Sequence, residues 1–446
     1  MKKRYFYLFI GAFFVMAASF IIVKFKHAER SKAETFYPLL KAKGHSSEEW
    51  KTITARFETL MKTVKTNASD LPSRLALTAL FIGEARTTGN HKYYDAAAMK
   101  FVDEILEREP SNFEALSFKA MIQLSQHHFA EGIETAIKAR ALNPHNSFIH
   151  AVLVDGYVEL GDYAAAIESA EKMITIRPDA RSYSRISYLR EIHGDYPGAI
   201  GAMKLAVDAG PPGDEATEWT RVQLGQLYEH TGDWNNAEKC YDQSLQYRPT
   251  YAYALAGKAR IATAREEHET AIWYCLQSDS LVNDYAIKAQ LARLYDITGE
   301  NTKARKVYAE VITAMSKEAE EVDGDENVGH YADLELAHLF LETKNNDKAV
   351  KHAVAEYNRR PRNIDVNETL AWAYFMDGNV QGAFALIETA LRTNSQNPVL
   401  LCRAGLIYAK NGDVAKARTL LKKAISSNSN LPTSLRKQAE ETFKLL

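Results

Sequence analysis

The residues at 323–334 have types that could bind calcium. Asp323, Asp325 and Asn327 follow the one-three-five spacing of a calcium-binding loop. The glycine of such a loop comes one place late here, and Leu334 stands where a bidentate glutamate is needed. We therefore expect a solvated acidic loop and no metal site.

Two short segments that contain histidine could supply metal ligands. His268 and the following glutamate begin an HExxH-like string, but Ile272 occupies the second histidine position, so no zinc pair forms. His127 and His128 are adjacent, and we expect them in an exposed turn. The sequence contains no GxSxG, no phosphate-binding loop and no nucleophile beside an obvious base. The expectation is a protein that is not an enzyme and has no cofactor.

Composition excludes another class of function. Of 446 residues, 55 are basic and 57 acidic, which gives a net charge of −2. Nucleic-acid binding needs a basic excess that this chain lacks, so we expect no nucleic-acid partner. The three cysteines form no CxxC and lie within helical patterns, which is typical of packed thiols.

The N-terminus predicts a membrane segment. The stretch from Tyr5 to Val23 carries no charge and, as a helix, spans about 28 Å, close to the roughly 30 Å hydrocarbon core. We expect an uncleaved signal anchor over residues 1–24. The body would lie on the extracytoplasmic, periplasmic side. The alternative is a secreted protein released by signal-peptide cleavage.

A repeated pattern organises the rest of the chain. A glycine is followed five residues later by alanine and, with one exception, preceded four residues earlier by tyrosine. These glycines are Gly161, Gly194, Gly232, Gly299, Gly378 and Gly412. Their spacing fits a period of about 34 residues, which indicates a stacked repeat array. Within one period the glycine permits the left-handed residue that ends a first helix, and an aspartate begins a second. Each repeat is therefore predicted to be a helical hairpin.

At these positions the sequence resembles the tetratricopeptide repeat family: a small residue, tyrosine, Gly-Asp-aromatic, alanine, then proline. Residues 185–210 and 368–379 further resemble membrane-anchored or exported bacterial members of poorly defined role. The resemblance implies an all-α, right-handed superhelical solenoid of about ten hairpins. The domains we expect are the anchor at 1–24, a stalk and capping helix at 25–74, the solenoid at 75–431 with an insertion at 312–329, and a C-terminal capping helix at 432–446. Three repeats lack the turn glycine and have His127, Glu266 and Lys344 there instead.

The resemblance also implies a binding groove, because the first helix of each repeat lines the concave face in this family. Carried over by position, the groove residues in repeats four to seven are Arg181, Arg185, Tyr188, Trp219, Gln223, Gln226, Tyr253, Arg260, Gln290 and Arg293. The same count adds His230, Tyr331, Glu335 and His338. The four arginines predict a basic stripe suited to an acidic or mixed segment.

These observations predict a non-catalytic scaffold or adaptor that binds a protein or peptide partner in its groove. Two alternatives remain open. One is a secreted or envelope carbohydrate-binding module, which the aromatic residues of the groove would suit. The other is a helical-toroid hydrolase, which would need paired carboxylates converging on a cavity.

Overall fold

A computed structural model of the protein describes residues 37–41, 43–67, 69–322, 330–427 and 431–446. The chain divides into two compact units, residues 1–41 and residues 42–446. In the first, the described residues 37–41 have no regular secondary structure. The predicted membrane helix at 1–24 and the calcium-like loop at 323–329 lie outside the described residues. Within the described residues, none of the helices combines the length and the apolar character that crossing a membrane requires.

The second unit is built of helices alone, as far as the structure describes it. Helix α1 covers Ser47–Thr66 and precedes ten helical hairpins, the repeats. These are formed by α2 (Leu71–Thr88) and α3 (His91–Leu106), α4 (Phe113–Ser125) and α5 (Phe129–Leu142), α6 (Ser147–Glu159) and α7 (Tyr163–Ile176), α8 (Ala180–Ile192) and α9 (Tyr196–Asp208), α10 (Glu215–Thr231) and α11 (Trp234–Tyr247), α12 (Ala252–Ala264) and α13 (His268–Asp279), α14 (Tyr285–Ile297) and α15 (Asn301–Val322), α16 (Asp333–Glu342) and α17 (Asn346–Arg359), α18 (Ile364–Met376) and α19 (Val380–Ala390), and α20 (Pro398–Lys410) and α21 (Val414–Ser426). Helix α22 (Thr433–Leu445) ends the array.

The hairpin turns form for the reason the sequence indicates. At Gly232 the backbone is left-handed, with φ of 77°, and the next residue, Asp233, accepts a hydrogen bond from the Asn236 N–H at 3.2 Å to begin α11. Where glycine is missing, His127, Glu266 and Lys344 adopt the same conformation, with φ of 62°, 61° and 57°. A side chain there costs roughly 1–2 kcal/mol, so the fold imposes this geometry on every repeat.

Small residues let the two helices of a hairpin pack closely. In repeat five the fully buried ring of Tyr241 on α11 lies between Gly225 on α10 and Gly257 on α12. A Cβ atom at either glycine would lie 2.6 Å from that ring. Ala237, one helical turn before Tyr241, is also fully buried. The repeated small and aromatic positions are therefore the contact between neighbouring helices.

The two ends of the array are capped. At the N-terminus, α1 begins with a capping box formed by Ser46 and Glu49 and buries Phe57. At the C-terminus, α22 buries Leu435 and Ala439 against the last hairpin. The first part of the predicted insertion, up to residue 322, continues α15, which is 22 residues long.

The solenoid also folds back on itself, which the repeat pattern alone does not predict. Hairpin turns of repeats one to four contact the segments that lead into repeats seven to ten, about six repeats further on. The Asn283 N–H donates to the Thr88 carbonyl at 3.0 Å, and the Tyr331 N–H donates to the Gln126 carbonyl at 3.3 Å. Asn363 Nδ2 donates to the Glu159 carbonyl at 3.0 Å, across 204 residues. We call this set of contacts the inter-turn seam, since it joins one superhelical turn to the next.

Glycine is required where the seam is tightest. A Cβ atom on Gly161 would lie 2.2 Å from the carbonyl oxygen of Arg362, and one on Gly194 would lie 2.5 Å from that of Asn394. The corresponding glycines outside the seam, Gly299, Gly378 and Gly412, have nothing within 4 Å of such an atom. The same turn residue therefore has a second role in the seam, where it admits the neighbouring backbone.

Candidate binding groove

The ten predicted groove residues lie on the first helices of four consecutive repeats. Arg181, Arg185 and Tyr188 lie on α8, the residues from Trp219 to Gln226 on α10, the pair Tyr253 and Arg260 on α12, and the pair Gln290 and Arg293 on α14. These first helices contact one another in sequence. His230 on α10 lies 2.8 Å from Glu191 on α8, α10 packs against α12, and Gln290 on α14 donates to the Ala256 carbonyl on α12. We call the surface that the four helices share the inner wall.

Arg185 is held by an acidic partner from the preceding repeat. Its Nε donates to Asp155 Oδ1 at 2.8 Å and its Nη2 to Asp155 Oδ2 at 2.5 Å, a two-point geometry that orients the guanidinium. The Nη1 atom of Arg185 also donates to the Arg181 carbonyl at 3.2 Å. Arg181 itself is exposed, makes no ion pair with any described residue, and lies with its guanidinium 5.7 Å from the ring of Phe148.

Arg260 is tied into the packing between repeats. Its Nε lies 2.8 Å from Glu229 Oε2, and its Nη2 donates to the Tyr241 hydroxyl at 3.1 Å. Glu229 is buried and accepts a further hydrogen bond from that hydroxyl. A buried carboxylate needs such a compensating charge, so the first role of Arg260 is structural.

In repeat seven, Arg293 also has a carboxylate partner, but at a longer distance and closer to solvent. Arg293 Nη1 lies 3.7 Å from Glu342 Oε1, with both side chains about half exposed. Gln290 Nε2 donates to the Ala256 carbonyl at 3.2 Å. The sequence predicts a basic stripe from four arginines, but Arg185, Arg260 and Arg293 each have a carboxylate partner. Among the described residues, no carboxylate neutralises the charge of the fourth arginine, Arg181.

Aromatic side chains supply exposed apolar area on the inner wall. Trp219 is 38% exposed and Tyr188 is 39% exposed. Arg86, on the first helix of repeat one, lies with its guanidinium 6.0 Å from the Trp219 ring and is paired with Glu215 at 3.0 Å. The half-buried ring of Tyr253 lies 5.6 Å from that of Tyr251. Gln223 and Gln226 are half-buried on the same helix as Trp219.

A cavity of 460 Å³ lies beside Arg185, where repeats two to four meet repeats eight and nine. Its charged lining residues are Asp155, Glu159, Glu335, Asp365, Arg185 and Arg360. Burial raises the pKa of Glu159 to about 7, although the Arg360 guanidinium beside it acts in the opposite direction. Asp365 reaches solvent in the cavity, but the surrounding protein desolvates its carboxylate and raises its pKa to about 6. Both shifts reduce the negative charge near pH 7, but the cavity wall still has four carboxylates and two arginines, so acidic groups outnumber basic ones.

Carboxylates also surround the hydroxyl of Tyr188. Although the residue reaches solvent, the surrounding protein desolvates the hydroxyl and raises its pKa well above the ordinary value, and the carboxylates of Asp365, Glu159 and Glu191 act in the same direction. The hydroxyl therefore stays protonated and can donate a hydrogen bond to a ligand at any ordinary pH.

Sequence reasoning missed part of this site. Arg86 occupies the twelfth position counted from Leu75, one of the positions that define the groove in the family, so the same rule applied to repeat one would have included it. Asp365 is the second residue counted from Ile364, another groove position, so the rule applied to repeat nine would have included it as well. Arg360 precedes repeat nine and carries no periodic signal. His127 and His128 were expected to be exposed, and this was wrong. His128 is 5% exposed and stacks on Tyr331, with ring centroids 4.5 Å apart.

Ten stacked hairpins with small residues at their crossings define the chain as a helical-repeat solenoid. Family models described as tetratricopeptide repeats match residues 152–214, 220–250, 334–398 and 399–431. The chain is a member of the tetratricopeptide repeat family, whose repeats generally mediate protein–protein interactions. No curated protein sequence matches the chain.

Several solved structures are similar to this chain at low sequence identity. PilW, a type IV pilus biogenesis factor, is 17% identical over 45% of this chain and 91% of its own, with a TM-score of 0.38. TTC0263, a thermophilic protein of Thermus thermophilus, is 20% identical over 43% of this chain and 97% of its own, with a TM-score of 0.37. The human IFIT1 dimer with m7Gppp-AAAA is 13% identical over 78% of this chain and 86% of its own, with a TM-score of 0.43. The family assignment rests on the sequence matches.

Proposed function

We propose that the protein is a non-catalytic, membrane-anchored scaffold that holds an extended segment of a partner protein against the inner wall of repeats four and five. The observation that carries this proposal is the exposed trio of Arg181, Tyr188 and Trp219 on the inner wall. Arginine and large aromatics most often dominate binding energy, because they combine contact area with directional hydrogen bonds.

The charges of the inner wall specify the partner segment further. Since Arg185, Arg260 and Arg293 are already paired, a purely acidic segment would find one unneutralised arginine, Arg181. The carboxylates around the adjacent cavity favour basic groups there. The segment therefore carries both signs of charge, with its acidic part at Arg181 and its basic part towards the cavity, and an apolar side chain against Trp219.

The membrane part of the proposal rests on the sequence of residues 5–23. A chain anchored there fractionates with membranes and resists extraction by high salt. With the solenoid on the extracytoplasmic side, protease added to spheroplasts degrades it. Recovery of a mature chain in the soluble fraction, with a new N-terminus near Phe20, would contradict anchoring and support secretion.

The test of groove binding compares two matched triple variants of the full-length chain as bait in native membranes. The groove variant replaces Arg181, Arg185 and Trp219 with alanine. The control variant replaces Arg305, Arg418 and Trp273, which are exposed on second helices, and so removes the same charge and the same aromatic.

We expect the groove variant to weaken capture of the parent's partner by more than about tenfold, or roughly 1.4 kcal/mol, and the control to leave it unchanged. Helical circular dichroism of both should match the parent, because the groove variant loses one ion pair between repeats, that of Arg185 with Asp155, and keeps the apolar contacts that hold the repeats together. If the groove variant binds as well as the parent, the proposal is wrong.

A further inference from the structure

Three side chains that could coordinate a metal ion meet at the inter-turn seam, where the hairpin turn of repeat two contacts the start of repeat eight. They are His127, His330 and Glu335, and one potential ligand atom of each lies within 4.8 Å of the other two. The imidazole centroids of the two histidines are 4.1 Å apart, and His127 Nδ1 is 3.9 Å from Glu335 Oε1. Residues of repeats two and eight, which are far apart in the sequence, thus form one cluster.

A backbone hydrogen bond fixes the tautomer of one of the two histidines. His127 Nδ1 lies 2.9 Å from the Tyr331 carbonyl oxygen. A carbonyl can only accept, so the proton resides on Nδ1, and the lone pair of Nε2 is left available. A backbone carbonyl that fixes the histidine tautomer in this way is the usual support of a metal ligand.

Glu335 supplies a second, independent indication. Its Oε2 atom is buried and has no hydrogen-bond partner among the described residues. A buried carboxylate oxygen without a partner costs free energy, and a bound cation would remove that cost.

The surrounding charges are compatible with a cation. Arg359 and Arg360 lie near His127, but both are paired with carboxylates: Arg360 with Glu159 and Glu356, and Arg359 with Asp333 and Glu356. The groups around His330 are His91, His127 and the carboxylates of Asp95 and Glu335. The cluster is therefore not dominated by unpaired positive charge.

We propose that His127, His330 and Glu335 bind one divalent transition-metal ion, of the zinc class, which ties repeat two to repeat eight. Two imidazoles and one carboxylate suit zinc and its neighbours better than calcium or magnesium, which prefer oxygen ligands. Zinc bonds of about 2.0–2.1 Å need ligand atoms roughly 3.3 Å apart, so groups that now lie within 4.8 Å must move closer together. Because Nδ1 is the His127 atom that lies 3.9 Å from Glu335 Oε1, the His127 side chain must also shift to present Nε2 to the ion. His127 and Glu335 also line the 460 Å³ cavity, so a fourth ligand, water or a group of a bound partner, can enter from there.

The test is metal titration of the full-length chain, purified in mild detergent and stripped with a chelator. Zn²⁺ binding is measured by calorimetry, and Co²⁺ binding is followed by its visible absorption, which reports the ligand set directly. The variants are His127→Asn, His330→Asn and Glu335→Gln. Asparagine at 127 tolerates the left-handed backbone and keeps a donor near the position of Nδ1, while it removes the Nε2 ligand. The matched control is His145→Ala, an exposed histidine outside the cluster.

We expect one Zn²⁺ per chain, at least a tenfold weaker affinity in each cluster variant, and no change in the control. Zn²⁺ should also raise the melting temperature of the parent but not of Glu335→Gln. Glu335→Gln is conservative and its side chain is 38% exposed, so this variant should fold even if the others do not. The proposal is overturned if the parent binds neither ion, or if binding persists unchanged in Glu335→Gln. It does not depend on the groove proposal, since no partner protein is needed.

Discussion

The inter-turn seam can be tested by a pair of glycine substitutions, Gly161→Ala and Gly378→Ala. Both glycines occupy the same position of the repeat, with φ of 74° and 87°, so alanine incurs a similar left-handed penalty at each. That penalty is about 1–2 kcal/mol, reduced by the roughly 0.5–1 kcal/mol that alanine saves in backbone entropy. The two sites differ in their surroundings. A Cβ atom at Gly378 meets nothing within 4 Å, whereas at Gly161 it meets three backbone atoms of Arg362 and Asn363 at 2.2–2.6 Å.

Backbone atoms cannot move aside as a flexible side chain does, so Gly161→Ala must separate the two superhelical turns locally. Overpacking of this kind typically costs about 1–3 kcal/mol beyond the conformational penalty. We therefore expect Gly161→Ala to be less stable than Gly378→Ala by that amount. Urea unfolding of the two full-length variants in one detergent, followed by circular dichroism, measures the difference. Equal unfolding midpoints would mean that the superhelical turns do not pack as described.

Three further results are expected from the same structure. Glu266→Gly should stabilise the protein by about 0.5–1 kcal/mol in urea unfolding, because glycine adopts the left-handed backbone conformation of this exposed position without the steric cost of a side chain. A loss of stability would mean that the hairpin turn is misassigned. All three cysteines should resist thiol reagents at pH 8 until the chain unfolds, since burial raises the pKa of Cys240 to about 11 and of Cys275 and Cys402 to about 12. Rapid labelling of the native chain would refute this. Burial lowers the pKa of His127 from 6.5 to about 4, so between these two pH values the unfolded chain binds more protons than the folded chain. The free energy of unfolding of the metal-free parent should therefore decrease as the pH falls from 6.5 to 4. The stability difference between His127→Asn and the parent should accordingly change in the variant's favour between pH 6.5 and 4, and a pH-independent difference would contradict the burial of His127.

The sequence alone predicts the helical hairpins, because the residues that determine each hairpin lie close together in the chain. The glycine turn, the aspartate that begins the next helix and the small residue at the crossing lie within one repeat, so periodicity reveals them. Even the repeats without glycine could be aligned, and Lys344 adopts the expected backbone conformation. N-terminal anchoring and the domain boundaries remain predictions.

The seam and the charge of the inner wall could not be predicted from the sequence, for a physical reason. Contacts such as that between Asn363 and Glu159 join residues 204 positions apart, and their existence depends on the small rotation that each repeat adds to the superhelix. The pairing of Arg260 with Glu229 crosses between repeats and follows no fixed spacing. A positional rule therefore located the groove residues but could not predict which of them the protein would neutralise.

Site-specific photo-crosslinking tests the scaffold proposal most directly. A photoreactive phenylalanine derivative is placed at Tyr188 on the inner wall or, in a second full-length variant, at Trp273, which is 55% exposed on the second helix α13. Irradiation of native membranes should yield a discrete protein adduct from position 188 and none from position 273. The adduct at 188 should also be lost when Arg181 and Trp219 are replaced with alanine. Adducts that form only from position 273, or equally from both, would contradict binding on the inner wall.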